Sequence, residues 1–266
     1  MSAKTKLLVT TERDPSRAAF FEAAEIANIN IDKLYYDKFD RASLKAEHYD
    51  FIYFRDPFNV GQFAAERIES VIASVARRYS GASFVDDTSD FYDVSFEDKW
   101  RQYQLLSDFM PQTNLLKDKS DFEPNQAIAK PRISSRGRGI AFSAAELRAG
   151  QSYIVQPLLD IKTEYRLYGI HGKIKKLAAI RTSKGPTSRV KVSGLDLAPR
   201  DVMDFVKKIY RLIPKFQLVG FDIARLASGH LALIEVNRSP QFNRYNEITG
   251  KNLANDFVKG LIWKNQ

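Results

Sequence analysis

The sequence predicts an α/β protein whose first third is a parallel α/β unit and whose remainder is α+β. Three observations predict it. Short apolar strands alternate with amphipathic helices through the first third of the chain, the pattern of a parallel sheet with right-handed crossovers. Beyond it, β-type runs come as hairpin-like pairs with single helices between them. The chain has 266 residues, 44% of them hydrophobic, enough for a full core in one large domain or two to three small ones.

The elements follow in order. Lys6 to Thr10 reads as a strand and Ser16 to Ala27 as a helix with Ala, Phe and Ile on one face. Ile29 to Tyr36 and Tyr49 to Phe54 are the next strands. Gln62 to Tyr79 is an amphipathic helix with Phe63, Ile68, Val71, Ile72 and Val75 among its apolar positions, and Ala82 to Val85 is a fourth strand. The first turn lacks Gly-x-Gly-x-x-Gly, so a dinucleotide site is not expected there. Phe96 to Phe109 is a helix stopped by Pro111, with Lys99 in its first turns.

Ala127 to Lys130 is a strand running into Pro131 and the loop Ser134-Ser-Arg-Gly-Arg-Gly139. Small residues and glycines let backbone N–H groups approach an anion, and the arginines add charge. No Gly-Lys-Ser/Thr follows, so this is not a P-loop. Tyr153 to Val155 is a strand leading into Gln156-Pro-Leu-Leu-Asp160, irregular backbone able to offer a carbonyl and an N–H to an adenine edge. Glu164 to Ile170 and Lys173 to Ile180 read as a hairpin about His171-Gly172, with Glu164, Arg166 and Tyr168 sharing one face. Thr182 to Pro199, with Gly, Pro and Ser and few bulky residues, reads as a long loop. Val202 to Leu212 and Leu253 to Trp263 are helices.

The most informative stretch is Gln217 to Leu226 and Leu231 to Asn237 about a Ser228-Gly229 turn. Folded symmetrically, Leu226 faces Leu231 and Asp222 faces Glu235, with Asn237 on the same face two residues on. Facing carboxylates destabilise a sheet by up to roughly 1 kcal/mol. A hard cation between them turns that repulsion into a binding site, and three oxygen donors suit magnesium.

There are no cysteines, which removes disulfides, thiolate catalysis and Cys-based zinc sites. His48, His171 and His230 are scattered, and each is expected in a structural or solvent-exposed role. The start of the chain lacks the apolar length of a signal peptide, and no segment reaches the roughly 18 apolar residues of a membrane span. A cytoplasmic protein with no membrane partner is the expectation. A net charge of +9 favours an anionic partner. Nucleic acid is disfavoured because there is no concentrated basic arm or recognisable module; the densest basic stretches are Arg132 to Arg138 and Arg181 to Lys191.

The order of these parts resembles the ATP-grasp superfamily. The carrying motifs are Lys99 in Asp98-Lys-Trp-Arg-Gln-Tyr-Gln-Leu-Leu106, Lys130 before the 134–139 loop, the hinge Ile154-Val-Gln-Pro-Leu-Leu159, and the Asp222…Glu235-x-Asn237 set. Leu233-Ile-Glu-Val-Asn-Arg-Ser-Pro240, followed by Thr249-Gly250, is most similar to the branch of the ribosomal-protein glutamate ligase and prokaryotic glutathione synthetase. The resemblance covers roughly residues 95 to 260. It implies an ATP-grasp fold with an N-terminal Rossmann-like pre-ATP-grasp domain at 1–95, a lid subdomain with phosphate loop and adenine hinge at 96–160, and a C-terminal subdomain with the metal site at 161–266.

The resemblance implies roles as well. Lys99 and Lys130 would pair with ATP phosphates under a lid of Ser134, Ser135, Arg136 and Gly137. Gln156 and Leu159 would meet adenine through their backbones, and Glu164 would meet ribose. Asp222, Glu235 and Asn237 would hold one or two Mg2+ ions, with Mn2+ as a substitute. Arg166 and Arg181 would face the transferred phosphoryl group and the acyl intermediate. The relatives' Asn-Ala-Ser-Pro-Gly is Asn237-Arg-Ser-Pro-Gln241 here, and their substrate loop, an Asn followed by paired glycines, is Arg189-Val-Lys-Val-Ser-Gly194. Both departures concern the substrate half.

The implied activity is an ATP-dependent carboxylate–amine ligase that forms an amide through an acyl phosphate, on an acidic amino acid or peptide. One alternative is a ligase or macrocyclase that modifies a peptide or protein. Another is a non-catalytic, nucleotide-dependent binding protein for an anionic partner. Homo-oligomerisation is left open.

Overall fold

The computed structural model describes residues 5–10, 16–36, 38–44, 48–55, 65–86, 96, 98–134, 137–182, 191–213 and 216–263. Its strands form three sheets. The first joins β1 (Thr5–Thr10), β2 (Asn30–Tyr35), β3 (Phe51–Phe54) and β4 (Ser83–Phe84) in the order β2-β1-β3-β4, all parallel. Helices α1 (Arg17–Ile26) and α2 (Ala65–Arg78) alternate with these strands. β3 is buried along its whole length because alternate side chains enter two different cores. Phe51 and Tyr53 join Phe20 and Ala23 of α1, while Ile52 and Phe54 join Ile68, Val71, Ile72 and Val75 of α2.

The second sheet is small and antiparallel. It orders β5 (Asn114–Leu115), β7 (Tyr153–Pro157) and β6 (Ala127–Pro131) as β5-β7-β6 over a core of Phe122, Ala129, Ala141, Leu147 and Tyr153.

The third sheet carries the candidate site. It contains β8 (Ile161–Ile170), β9 (Lys173–Ile174), β10 (Leu177–Thr182), β11 (Lys191–Leu197), β12 (Leu218–Leu226) and β13 (Leu231–Asn237). The order is β11-β10-β8-β12-β13, with β9 paired to β8, all antiparallel. Leu167, Val219, Phe221, Ile223, Leu233 and Val236 point to one face and pack on α4 (Arg200–Leu212) through Val202, Val206 and Ile209. Phe96, Leu106 and Met110, at either end of α3 (Lys99–Leu106), enter that same core. The period of two therefore sends Glu164, Arg166, Gly220 and Asp222 to the opposite face.

The stretch Thr182 to Pro199, expected as a loop, instead contains strand β11, which pairs with β10 across a bulge between Ile180 and Arg181. Its polar residues and Gly194 hide it. An edge strand needs an apolar residue only where it meets a core, here Leu195. Helix α5 (Asn243–Thr249) was not expected either; it is polar and buries only Tyr245. The last helix, α6 (Leu253–Trp263), packs back on α1, with Phe257 edge-on to Phe20 at 5.5 Å between ring centroids. No helix among the described residues is long and apolar enough to cross a membrane.

Candidate active site

The hairpin of β12 and β13 reaches the expected pairing by a different route. Leu226 N–H donates to His230 O at 2.9 Å, and Gly229 N–H returns to Leu226 O at 2.9 Å. The loop is therefore three residues long, with Gly229 at φ +90°, a left-handed conformation that favours glycine. Consequently Leu231 faces Arg225 rather than Leu226, one residue away from the symmetric expectation. Such a slip alone would turn the ligand-bearing side chains to the wrong face. A bulge between Asp222 and Ile223, with Ile234 as the extra residue, restores the register: Asp222 faces Glu235 and Gly220 faces Asn237.

Across the sheet, Arg166 of β8, Asp222 of β12 and Glu235 of β13 form one row of Cα partners. Arg166 Nε donates to Asp222 Oδ1 at 2.6 Å, and its Nη2 donates to Oδ2. Asn237 Nδ2 donates to the same Oδ2 at 3.3 Å. Asp222 is only 4% exposed, so its charge requires these partners. Burial works against the Arg166 charge, but the Asp222 carboxylate outweighs it and holds the guanidinium above its ordinary pKa.

Helix α3 delivers the first lysine. Asp98 caps the helix by accepting from Trp100 N at 2.9 Å, and it also receives the Arg132 guanidinium in a two-pronged pair. Lys99 N–H donates to Arg132 O at 2.9 Å, which ties the helix start to the end of β6. Lys99 Nζ then donates to Ser134 O at 2.7 Å and lies 3.4 Å from Glu235 Oε1. It thus bridges the expected phosphate loop and the expected metal strand. Lys130, on β6, is a second cation near Lys99, Glu235, Glu164 and Asp222. Burial pushes its ammonium down to about 8, against the attraction of Glu235, and Lys99 pushes it further the same way.

Gln156, expected in irregular backbone, instead lies within β7. Gln156 buries its side chain, whose Nε2 donates to Thr113 Oγ1 at 2.8 Å, while its backbone pairs with Ile128 in the β6–β7 ladder. Leu159 follows in irregular backbone past the end of β7. Glu164 is buried beside Ala224 and pairs by register with Arg181 of β10. Gly137 lies in the loop with φ +66°. Ser135, Arg136 and the Arg181 side chain lie outside the described residues. His171 stacks on Phe257 and His230 bonds the Ser228 hydroxyl, both away from the carboxylates.

Sequence reasoning passed over several positioning groups. Asp98 is a residue of the N-capping type directly before Lys99, a local signal that could have been used. Gly220 is another: a Cβ there would come within 2.7 Å of the Pro240 ring, so the chain leaving Asn237 folds back over β12 only because residue 220 has no side chain. Arg55, at the end of β3, holds that returning segment through a 2.9 Å bond to Pro240 O, with its guanidinium over the Phe20 ring. No local pattern in the sequence marks that contact.

The donor chemistry fits a divalent cation of the magnesium type. Asp222 and Glu235 are Cα partners on adjacent strands, and Asn237 lies beside Asp222, which it meets through Nδ2; their carboxylate and amide oxygens are the donor types such an ion takes. Among the described residues no group of three or more His, Asp or Glu gathers as a metal cluster, so the set rests on two acids and one amide. Their charge is balanced internally by Arg166 and Lys99.

No protein-family model matches the chain, and no curated protein matches it in sequence. Solved structures do match in three dimensions. The ATP-grasp ligase PsnB, complexed with a phosphomimetic variant of its minimal precursor, Mg and ADP, superposes with a TM-score of 0.73 at 15% identity over 100% of both chains. The D-cycloserine synthetase DcsG gives 0.71 at 16% identity over 98% of this chain and 100% of that one. The macrocyclase MdnB from Microcystis aeruginosa MRC gives 0.65 at 13% identity over 97% and 99%. Matches of this extent, at identities this low, establish architecture: the chain has the ATP-grasp fold.

Proposed function

We propose that the protein is an ATP-dependent carboxylate–amine ligase that forms an amide through an acyl phosphate. The observation that carries this reading is the row Arg166–Asp222–Glu235 with Lys99 and Lys130 beside it. It is a cluster of acids and of buried or half-buried cations, suited to a polyphosphate and its metal. Support comes from PsnB, of the same fold, which holds Mg and ADP.

In this reading Lys99 and Lys130 contact the phosphates and the 134–139 loop covers them. The Gln156 and Leu159 backbones meet adenine, and Glu164 meets ribose. Asp222, Glu235 and Asn237 would hold one or two magnesium ions; the bound ion supplies charge neutralisation at the triphosphate. A substrate carboxylate oxygen attacks the γ-phosphorus, and the bond to the β–γ bridging oxygen breaks to release ADP. An amine then adds to the acyl carbon, phosphate leaves with the acyl C–O bond, and the amine loses a proton. Arg166 and Arg181 stabilise the transferred phosphoryl group. Nothing in this sequence of steps needs a covalent nucleophile, which suits a chain without cysteine. An intracellular, cytoplasmic setting with ATP and magnesium at hand is part of the proposal.

The test is incubation with Mg-ATP and pools of acids and amines, which releases ADP and phosphate if the reading is right. Absence of release with every pool, together with absence of ATP binding, sinks it. Glu235→Gln is expected to abolish turnover with an unchanged unfolding midpoint; retained activity removes Glu235 from the site.

A second reading concerns the substrate. PsnB complexed with its precursor peptide and the macrocyclase MdnB both share the fold along nearly the whole chain. They favour a peptide or protein whose acidic side chain is the carboxylate substrate. Intact-mass analysis separates the two: a peptide that loses water supports macrocyclisation, and one that gains an amino acid supports ligation.

A further inference from the structure

β13 is an edge strand of the third sheet, so its outer backbone groups need partners from outside the sheet. Gln102 supplies them at Val236, the residue between Glu235 and Asn237. Its Nε2 donates to Val236 O at 2.9 Å, and its Oε1 accepts from Val236 N at 3.1 Å. The side-chain amide thus imitates the hydrogen-bonded pair of a neighbouring antiparallel strand. The second Nε2 proton goes to Phe96 O at 2.8 Å, where the chain enters α3. Every hydrogen-bonding group but one lone pair is committed, and Gln102 is only 3% exposed.

Gln102 lies three residues after Lys99, so both project from one face of α3. One turn of helix therefore touches β13 twice, by the Lys99–Glu235 ion pair and by the Gln102–Val236 amide pair. Phe109 O, just beyond the helix, takes Leu233 N at 2.7 Å and holds the strand at a third point.

We propose that Gln102 is a positioning residue, which sets the distance between the phosphate-side lysine and the metal-side oxygens by clamping Val236. The proposal rests on the ligase reading above. It touches neither nucleotide nor metal. It acts through the backbone that carries Glu235 and Asn237, so its loss weakens metal binding in the nucleotide complex more than nucleotide binding without metal. Removal of a group that orients metal ligands costs about 10- to 100-fold in metal affinity.

The test uses the full chain and Mn2+ as the probe, read by electron paramagnetic resonance with a non-hydrolysable ATP analogue present. In Gln102→Met, half-saturation by Mn2+ is expected to rise at least about tenfold, while metal-free analogue affinity stays within about twofold of wild type. Gln104→Met, exposed on the same helix, is the control and leaves both unchanged. If Gln102→Met does not fold, Gln102→Asn, which keeps the amide on a side chain one methylene shorter, is read the same way and is expected to raise Mn2+ half-saturation in the same direction. Unchanged Mn2+ half-saturation in the folded variant overturns the proposal, as does a parallel loss of metal-free nucleotide affinity. A wild-type protein that binds no analogue at all instead overturns the reading of the site on which the proposal stands.

Discussion

β12 carries two arginine–aspartate pairs three residues apart, and their surroundings give them opposite meanings. Asp222 pairs with Arg166 where the two side chains are 6% and 15% exposed. Arg225 pairs with Asp201, also through two oxygens, at 2.9 and 2.8 Å, but Asp201 is 57% exposed. The chemistry is the same and the solvent is not. The outer pair joins the strand to α4 and is screened by water; Arg225 holds the Asp201 carboxyl below its usual range and contributes little stability. The inner pair sits where desolvation cancels much of its attraction, so it is weak evidence for stability. Its burial on the face away from the core, beside Glu235 and two lysines, points to use rather than support.

Removing one member of the inner pair is the harshest way to break this contrast. Arg166→Met leaves Asp222 buried without its main partner, and a loss of roughly 3–5 kcal/mol is expected in denaturant unfolding. The double variant Arg166→Met/Asp222→Leu is expected to recover most of that loss, because neither charge of the pair is then left without the other. A double variant as unstable as the single one would mean that the pair is a genuine structural strut.

Lys130 sharpens the comparison on the buried side. Its folded pKa of about 8 lies below the usual 10.5. Between those values the unfolded chain binds more protons than the folded one, so stability rises with pH. The cost of burying the ammonium is thus complete below about 8 and is relieved as pH climbs toward 10.5. Lys130→Met is expected to stabilise the protein by on the order of 2 kcal/mol at neutral pH, after allowance for partial solvent screening, with the gain shrinking through that alkaline window. A pH-independent difference would refute the burial argument. The smallest effect is expected outside: Arg225→Ala should cost about 0.2–1 kcal/mol and vanish in high salt. A cost equal to that of Arg166→Met would erase the distinction between the two pairs.

The site was legible where chemistry is local and periodic. Asp222, Glu235 and Asn237 could be grouped because a period of two and a Gly-containing turn leave few registers for a short hairpin. The grouping nevertheless rested on a symmetric tip that the protein does not use; a three-residue loop and a bulge at Ile234 offset each other. Neither is encoded by a pattern distinct from ordinary strand residues. β11 stayed hidden for a similar reason, since an edge strand exposes one flank and needs few apolar residues. Gln102 was invisible because a glutamine on a helix is almost always solvated, and only the approach of β13 turns its amide into a strand partner.

By itself, then, the sequence determined the alternation of layers, the oxygen-rich hairpin, the lysines ahead of it and the absence of thiol chemistry, because each follows from residue type and spacing along one segment. Tertiary structure decided which cation answers which carboxylate, Arg166 to Asp222 and Lys99 to Glu235, and which side chains clamp the strand between them. Those contacts join segments up to 136 positions apart, as Lys99 is from Glu235. Their strength is set by distance and by how much water is excluded, quantities that exist only once the chain has folded.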